Sequence, residues 1–531
     1  MNRRTGTMLA AILGSAIVFL ASTVVNVALQ RIGQDLPSAN LGALEGESYV
    51  YNAYLLSLSA LLILAGALAD AYGRRRLFVI GLVGFGGSSI LCGVAPSMET
   101  LIVFRIVQGG AGALLVPGSL ALLTHTFEGA ERGRAIGLWA AASAATVILG
   151  PVIGGVLVET ISWRAVFFMN VPLIAIALFA AWRYVEESSD PNAGRSFDWL
   201  GAAVVAVAVG GLTFGAIYGQ QHQWDSPVGP AFIVVGAAAT VLFVILMARD
   251  RNPLVPLGLF RSRNFAVTNL STFLIYGALY VTGYQQSIFS QGTLGYSAAA
   301  AGFIGVPGAL ILVLLSSRFG VLCVRYGPRL FMTVGPVLMA VGILWLTRMP
   351  ASSPAWNLQP GDPSTWLPST GYLADFLPET ILFGLGLATT VAPLTTALMS
   401  SVPENRAGLG SAVNNAISRV GPQLAGALIF VAITGAFYAD LSSKVPGIDT
   451  SSAQVRQEVS PLNRPDPAAS PALANGAREA STDSFRLAMG IAAGLLLAGA
   501  ITNGIGIRNP RVTGASDSEA PETATAGVAA A

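Results

Sequence analysis

The chain has 531 residues, 53% of them hydrophobic and only 11% charged, where a soluble globular chain carries roughly 25% charged residues. That deficit excludes an ordinary soluble domain and places the chain in a bilayer. A net charge of +2, with Lys444 the only lysine, gives no sign of a nucleic-acid partner, and Cys92, Cys323, His125 and His222 are too few and too scattered for a disulfide framework or a metal centre.

The first apolar stretch lies in "MNRRTGTMLAAILGSAIVFLASTVVNVAL". Two arginines before an apolar core suggest a signal peptide, but the run is too long and lacks a clear cleavage site, so an uncleaved first helix is expected. The stretches 8–30, 48–69, 76–95, 98–124, 134–158, 164–184, 198–218, 229–248, 264–288, 298–322, 328–348, 372–400, 405–438 and 484–507 follow one another along the chain. Each matches the roughly 20 apolar residues that cross the hydrocarbon core. Lipid offers no partner for a free backbone N–H or C=O, so these fourteen segments read as helices of an all-α membrane protein. With the N-terminus placed inside, the short outside loops hold only Arg31, Arg164 and Arg348, while the inside segments hold Arg3, Arg4, Arg74, Arg75, Arg76 and most of the rest. That asymmetry predicts cytoplasmic termini.

Between the second and third helices, "GALADAYGRRRL" (66–77) packs Asp70 and three arginines at a membrane rim. Gly66, Leu68, Tyr72, Gly73 and Arg75 recur 254 residues later as Gly320, Leu322, Tyr326, Gly327 and Arg329. "GPVIGGVL" from Gly150 recurs as "GPQLAGAL" from Gly421. Two repeats in the same order predict paired halves: residues 1–184 as one six-helix half, 185–263 as two additional helices with linkers, and 264–511 as the second half. Residues 440–483 read as a long outside loop, either mobile or holding short helices, and 512–531 as a disordered cytoplasmic tail.

Arg105 stands inside a membrane segment, where an arginine needs an interior partner. A structural hydrogen-bond hub is one role for it. Tyr276, Tyr280 and Tyr284 lie four residues apart and share a helix face, followed by Gln285 and Gln286. That stripe either packs or stacks on flat or cationic molecules.

These features together resemble the major facilitator superfamily, and more narrowly its fourteen-helix drug:proton antiporters of the EmrB/QacA type. The resemblance rests on "GALADAYGRRRL", "RIVQGGAGALLVP" from Arg105, "GPVIGG", "SWRAVFFMNVP" (162–172) and "AGLGSAVNNAISRVG" (407–421). It implies the major facilitator fold, two six-helix halves with two extra helices between them. It also implies a cytoplasmic gate at Asp70, Gly73, Arg74 and Arg75, in which Asp70 meets the partly positive helix N-terminus near Glu404–Arg406 and the arginines face phosphate headgroups or Glu128 and Glu131. For Arg105 the resemblance implies the other role, proton coupling or substrate contact. Gly150, Pro151, Gly154 and Gly155 form the antiporter motif, where a kink former and small residues allow close packing. Candidates for the substrate cavity are Asn26, Tyr276, Tyr280, Tyr284, Gln285, Asn414 and Asn415. The chain departs from the pattern at Ala71, where a basic residue is usual, at Gln30, where proline is usual, and at Ala21, where an aspartate often serves as the proton site.

Glu379, with Asp375 one turn before it, is the intramembrane acid that replaces the aspartate in this reading. Counting 1.5 Å per residue from the helix ends puts Glu379 at nearly the depth of Arg419 and Arg105, so proton-exchanging pairs among these residues are expected; the rival reading is a permanent structural ion pair. The expected function is proton-coupled export of amphipathic or cationic drugs by a monomer in the cytoplasmic membrane, driven by the proton gradient without any cofactor. Export of an endogenous lipid or secondary metabolite is the alternative. An enzyme acting on lipid-linked substrates needs clustered acids or histidines at the membrane surface, and the loops offer none.

Overall fold

The computed structural model describes residues 2–37, 43–127, 129–188, 198–221, 226–250, 253–359, 361–402, 407–450, 452–466 and 469–509. The side chains of some helical residues, Asp70 among them, lie outside this description. The described residues form helices and connecting turns, without a strand. The long helices are α1 (Arg3–Asp35), α2 (Ala43–Tyr72), α3 (Arg74–Gly93), α4 (Met98–Thr126), α5 (Gly129–Thr160), α6 (Ala165–Tyr184), α7 (Trp199–Gln221), α8 (Val228–Arg249), α9 (Arg263–Gly292), α10 (Ala298–Phe303 continued by Val306–Tyr326), α11 (Pro328–Leu346), α12 (Leu377–Ser400, entered by a π-turn at Tyr372–Phe376), α13 (Ala407–Lys444) and α14 (Pro471–Gly506). Thirteen described segments are long and apolar enough to cross a membrane, and α5, with its apolar stretch Leu149–Thr160, makes a fourteenth long helix.

Local signals set several helix starts. The Asn2 side chain accepts the Thr5 N–H at 2.9 Å, and Ser97 and Thr100 cap each other at the start of α4. Two apolar cores result. One gathers Ile17, Tyr54, Leu58, Phe78 and Phe85 from α1–α3, with Leu115 of α4 and Ala177 of α6. The other gathers Ile275, Phe289, Met339, Phe376, Phe485 and Leu496 from α9, α11, the α12 entry and α14. The pair α7–α8 is knitted by glycines: a Cβ on Gly211 would come within 3.0 Å of Gly236 Cα, and one on Gly229 within 2.6 Å of Gly219 Cα. Such surfaces let helix backbones approach closely. Helix α7 packs on both α2 and α13, so it spans the seam between the halves. The outer face of α8, with Val234 and Val241 exposed, is left for lipid.

The sequence repeats have equivalent structural roles. A Cβ on Gly150 would collide with the Thr23 side chain of α1, and one on Gly421 would lie 2.6 Å from Phe273 O of α9. Each half thus packs its fifth helix on its first in the same way. Gly73 (φ 109°) and Gly327 (φ 81°) both take left-handed backbone to turn into the next helix, a conformation that favours glycine.

The loop expected over 440–483 is shorter. Helix α13 continues to Lys444 and α14 starts at Pro471, with a short helix Ala453–Glu458 between them. At 38 residues, α13 is far longer than a span requires, about 57 Å against a core of about 30 Å. The extension is stable because Phe437, Leu441, Val459, Leu473 and Ala477 form a small core of their own. Lys444 joins it, 2.8 Å from Asp440 and 2.6 Å from Asp483. The tail at 512–531 lies outside the described residues.

Candidate functional site

Call the end of the bundle at which α1 starts and α14 finishes the near end, and the opposite end the far end. The halves meet tightly toward the far end. Gly155 of α5 faces α10 so closely that a Cβ there would stand 2.6 Å from Ala298 O and 2.9 Å from Ala299 Cα. Gly302 is equally tight against Pro151, 2.8 Å from its carbonyl carbon to a built Cβ. The Glu159 carboxylate accepts the Ala298 N–H at 3.0 Å, and Tyr51 of α2 stacks on Tyr284 of α9 with centroids 5.2 Å apart. Gly150 and Gly154 instead pack on α1 within their own half, where a Cβ on Gly154 would stand 2.8 Å from Val24 O.

Beneath this closure lies a cavity of about 220 Å³ between the halves, lined by Asn26 (α1), Pro151 (α5), Gln286 (α9), Gly308 (α10), Glu379 and Thr380 (α12). Glu379 is 3% exposed. Its Oε2 accepts the Gln286 Nε2 hydrogen at 3.3 Å and the Thr380 hydroxyl at 3.0 Å. Asn26 Oδ1 is buried without a hydrogen-bond partner among the described residues. A second cavity of about 50 Å³ is lined by Tyr51, Tyr280, Tyr284, Gln285 and Gln423. Tyr276 stands beside it, its ring 6.3 Å from that of Tyr280.

The expected pairing of Glu379 with Arg419 or Arg105 is absent. Gln286, which binds Glu379, lies six residues beyond Tyr280, the ring that Arg419 overlies at 5.9 Å. Those six residues span about 9 Å along α9. The equal depth counted from the helix ends therefore does not hold. Asp375 also takes another role: it accepts the Ser353 hydroxyl at 2.6 Å and fixes the loop that precedes α12.

Arg105 is fully buried and belongs to a hydrogen-bond hub inside its own half. Its Nε donates to Val50 O at 3.1 Å, its Nη1 to Gln108 Oε1 at 2.6 Å, and its guanidinium lies 4.2 Å over the Tyr54 ring. Gln108 passes the chain to Ser89, which Asn170 also reaches. Asn414 is tied to Asn269 and Thr272 at 3.1 and 2.9 Å, a contact between α9 and α13 away from both cavities. Asn415, its neighbour, is half-buried and lines neither cavity.

At the near end, the loop after α2 is held by its own half. Glu187, just past α6, accepts the Arg75 and Arg76 N–H groups at 3.0 Å each, while Arg74 N–H donates to Ser188 O and the Arg75 guanidinium to Trp182 O. A carboxylate there caps the N-terminus of α3. The second half repeats the scheme with Asn509, which accepts the Arg329 N–H, and with Arg329 Nε donating to Gly504 O. Glu131, expected near the arginine cluster, is taken by Arg4 at 2.7 Å. The Asp70 side chain, Glu128 and Glu404–Arg406 lie outside the described residues. Glu187→Ala should cost about 0.5–2 kcal/mol, the worth of a helix cap, and lower the melting temperature by about 0.5–2 °C in a chain of this length, read by differential scanning fluorimetry in detergent.

Sequence reasoning missed Glu159 and Glu187, since only the folded chain brings them to the helices they cap. Gln108 was legible as the i+3 neighbour of Arg105. Among the described residues no three His, Cys, Asp or Glu side chains gather to hold a metal.

Paired helical halves around a central cavity with discontinuous helices are the architecture of a secondary transporter. A family description, Major Facilitator Superfamily, matches residues 11–426, and the chain belongs to that family. It is 34% identical to "Multidrug resistance protein Stp" of Mycobacterium tuberculosis over 81% of this chain and 76% of that one. It is 31% identical to "Tetracenomycin C resistance and export protein" of Streptomyces glaucescens over 80% of this chain and 75% of that one. Among solved structures, an auto-inhibited POT family peptide transporter superposes with a TM-score of 0.60 at 16% identity, over 96% of this chain and 99% of that one, a likeness of fold alone.

Proposed function

We infer that this transporter exports amphipathic drug-like molecules in exchange for protons, with Glu379 as the proton-exchanging group. The observation that carries the reading is a buried carboxylate lining the cavity between the halves, whose hydrogen-bond partners, Gln286 and Thr380, are neutral. A charge in that setting is expensive, and a proton or a bound cation balances it. The far end is then the outside, and the contacts of Gly155, Gly302 and Glu159 close it. Both termini lie in the cytoplasm, the membrane is the cytoplasmic one, the transporter works as a monomer, and the proton gradient supplies the energy without a cofactor. Relatives named for resistance to multiple drugs and to tetracenomycin C support a drug cargo over a membrane lipid.

The test is flux in proteoliposomes with an imposed pH gradient and a pH-sensitive dye inside. Opposed movement of protons and drug is expected, and drug movement without a dye response rules the exchange out.

A further inference from the structure

Arg419 on α13 is 6% exposed, yet among the described residues it makes no hydrogen bond and no ion pair. Only π-faces touch its charge: the guanidinium carbon lies 5.2 Å over the Phe19 ring of α1 and 5.9 Å over the Tyr280 ring of α9. These two helices belong to opposite halves, so the cation sits on the seam. Aromatic faces hold an arginine loosely and leave its five N–H donors unused. Arg105, by comparison, spends its Nε and Nη1 on Val50 and Gln108, and its Nη2 is buried without a partner among the described residues. Tyr51 and Tyr54 on α2 lie in the field of both guanidinium groups, so this level of the seam is positive. The acid expected to neutralise Arg419 binds elsewhere, since Glu379 is held by Gln286 about 9 Å further along α9.

A space lies beside this cation and shares the Tyr280 ring that Arg419 overlies, although Arg419 itself is not in its lining. The smaller cavity is lined by Gln423, one turn after Arg419 on the same helix face, and by Tyr51, Tyr280 and Tyr284. It has room for a few waters or a carboxylate, between rings that suit a flat body. Cationic cargo would have to compete with Arg419 for the face of Tyr280.

We propose that Arg419 docks an anionic head group, so that the cargo is an amphipathic organic anion, an aromatic body carrying a carboxylate. This names the substrate class of the export reading and rests on it. A planar carboxylate uses the guanidinium fork in a way that water or a backbone carbonyl does not. Binding at the seam engages α1, α9 and α13 together, so the anion holds both halves as they rock.

The test uses the full chain in nanodiscs with a matched fluorescent pair: dansylglycine, an aromatic carboxylate, and its uncharged amide, both in low-salt Tris–MES buffer, which adds no carboxylate. The carboxylate should bind about tenfold tighter than the amide, the difference between a charge-assisted and a neutral hydrogen bond. Arg419→Gln should erase that preference while changing the amide's affinity less than about twofold, since the ring contacts remain. Arg419→Lys should keep part of it as a point charge. Equal binding of the two probes to the wild-type protein overturns the proposal. So does a parallel loss of both probes in a monodisperse Arg419→Gln protein, which would mark the arginine as packing. Complete displacement when sodium chloride is added at physiological strength also overturns it, by showing a site for small inorganic anions. Proton-driven flux of either probe by the wild-type protein, followed with a pH-sensitive dye inside proteoliposomes, reports the export reading alone. Its absence sinks that reading and leaves the binding comparison standing.

Discussion

Glu379→Gln should disconnect export from the proton gradient without unfolding the protein. The amide has the size of the carboxylate and still accepts from Thr380 and Gln286, now 3.0 and 3.3 Å from the carboxylate oxygen, so packing at the cavity wall is kept. What it loses is the ability to take and release a proton. One pH unit across the membrane is worth 1.36 kcal/mol per exchanged proton, so with the membrane potential clamped the wild-type protein should sustain roughly a tenfold drug gradient per pH unit and proton. The Glu379→Gln protein should let the drug equilibrate and no further, while drug-for-drug counterflow continues. If the variant still builds a gradient that follows pH, Glu379 is a structural acceptor and the coupling group lies elsewhere.

How far the sequence could be read depended on what each feature needed from three dimensions. The spans were legible because lipid enforces a local rule: an apolar run must be helical. The same rule misplaced the end of α13. Ala439, Asp440 and Ser442 look like the end of a membrane segment, but hydropathy marks the membrane and not the helix. Leu441 packs with Leu473 and Ala477, and Lys444 binds Asp440 and Asp483, so the helix runs on outside the bilayer. The glycines of the antiporter motif were legible as close-packing positions. That Gly154 faces α1 and Gly155 faces α10 was not, because neighbouring positions on a helix point about 100° apart and only the fold assigns the partners. The arginine cluster announced an acid partner by charge alone. Glu187, more than a hundred residues away in sequence, is an acid that meets this segment, but it takes the backbone N–H groups of Arg75 and Arg76 and not their side-chain charge, while Glu131 goes to Arg4. The Glu379–Arg419 pairing failed for the opposite reason: the two charges were matched by depth alone, and Glu379 is taken by Gln286 while Arg419 lies over Tyr280, six residues earlier on α9.

Gly155→Leu should force the far end open. A Cβ at this position already stands 2.6 Å from Ala298 O and 2.9 Å from Ala299 Cα, well inside the roughly 3.5–4.0 Å of a comfortable contact. The obstacle is backbone, so no rotamer relieves it, and α5 and α10 must part. Overpacking costs about 1–3 kcal/mol. Here the cost falls only on the state in which the halves touch, so it shifts the outward-open population up by about tenfold. The reporter is Asn26→Cys, which lines the cavity beneath the closure, labelled from outside with a membrane-impermeant maleimide. Cys92 and Cys323 are buried and stay silent. Labelling should quicken by about tenfold in the Gly155→Leu background, and export should fall, since each cycle must close this seam. Gly154→Leu separates the effect from mere damage. Its added side chain strikes Val24 and Val27 of α1, within one half, so it should destabilise the protein without quickening the label. Unchanged labelling in a monodisperse Gly155→Leu protein would show that this seam does not set access to the cavity. The halves would then have to be held closed by the Tyr51–Tyr284 stack or by the Glu159 clasp at Ala298.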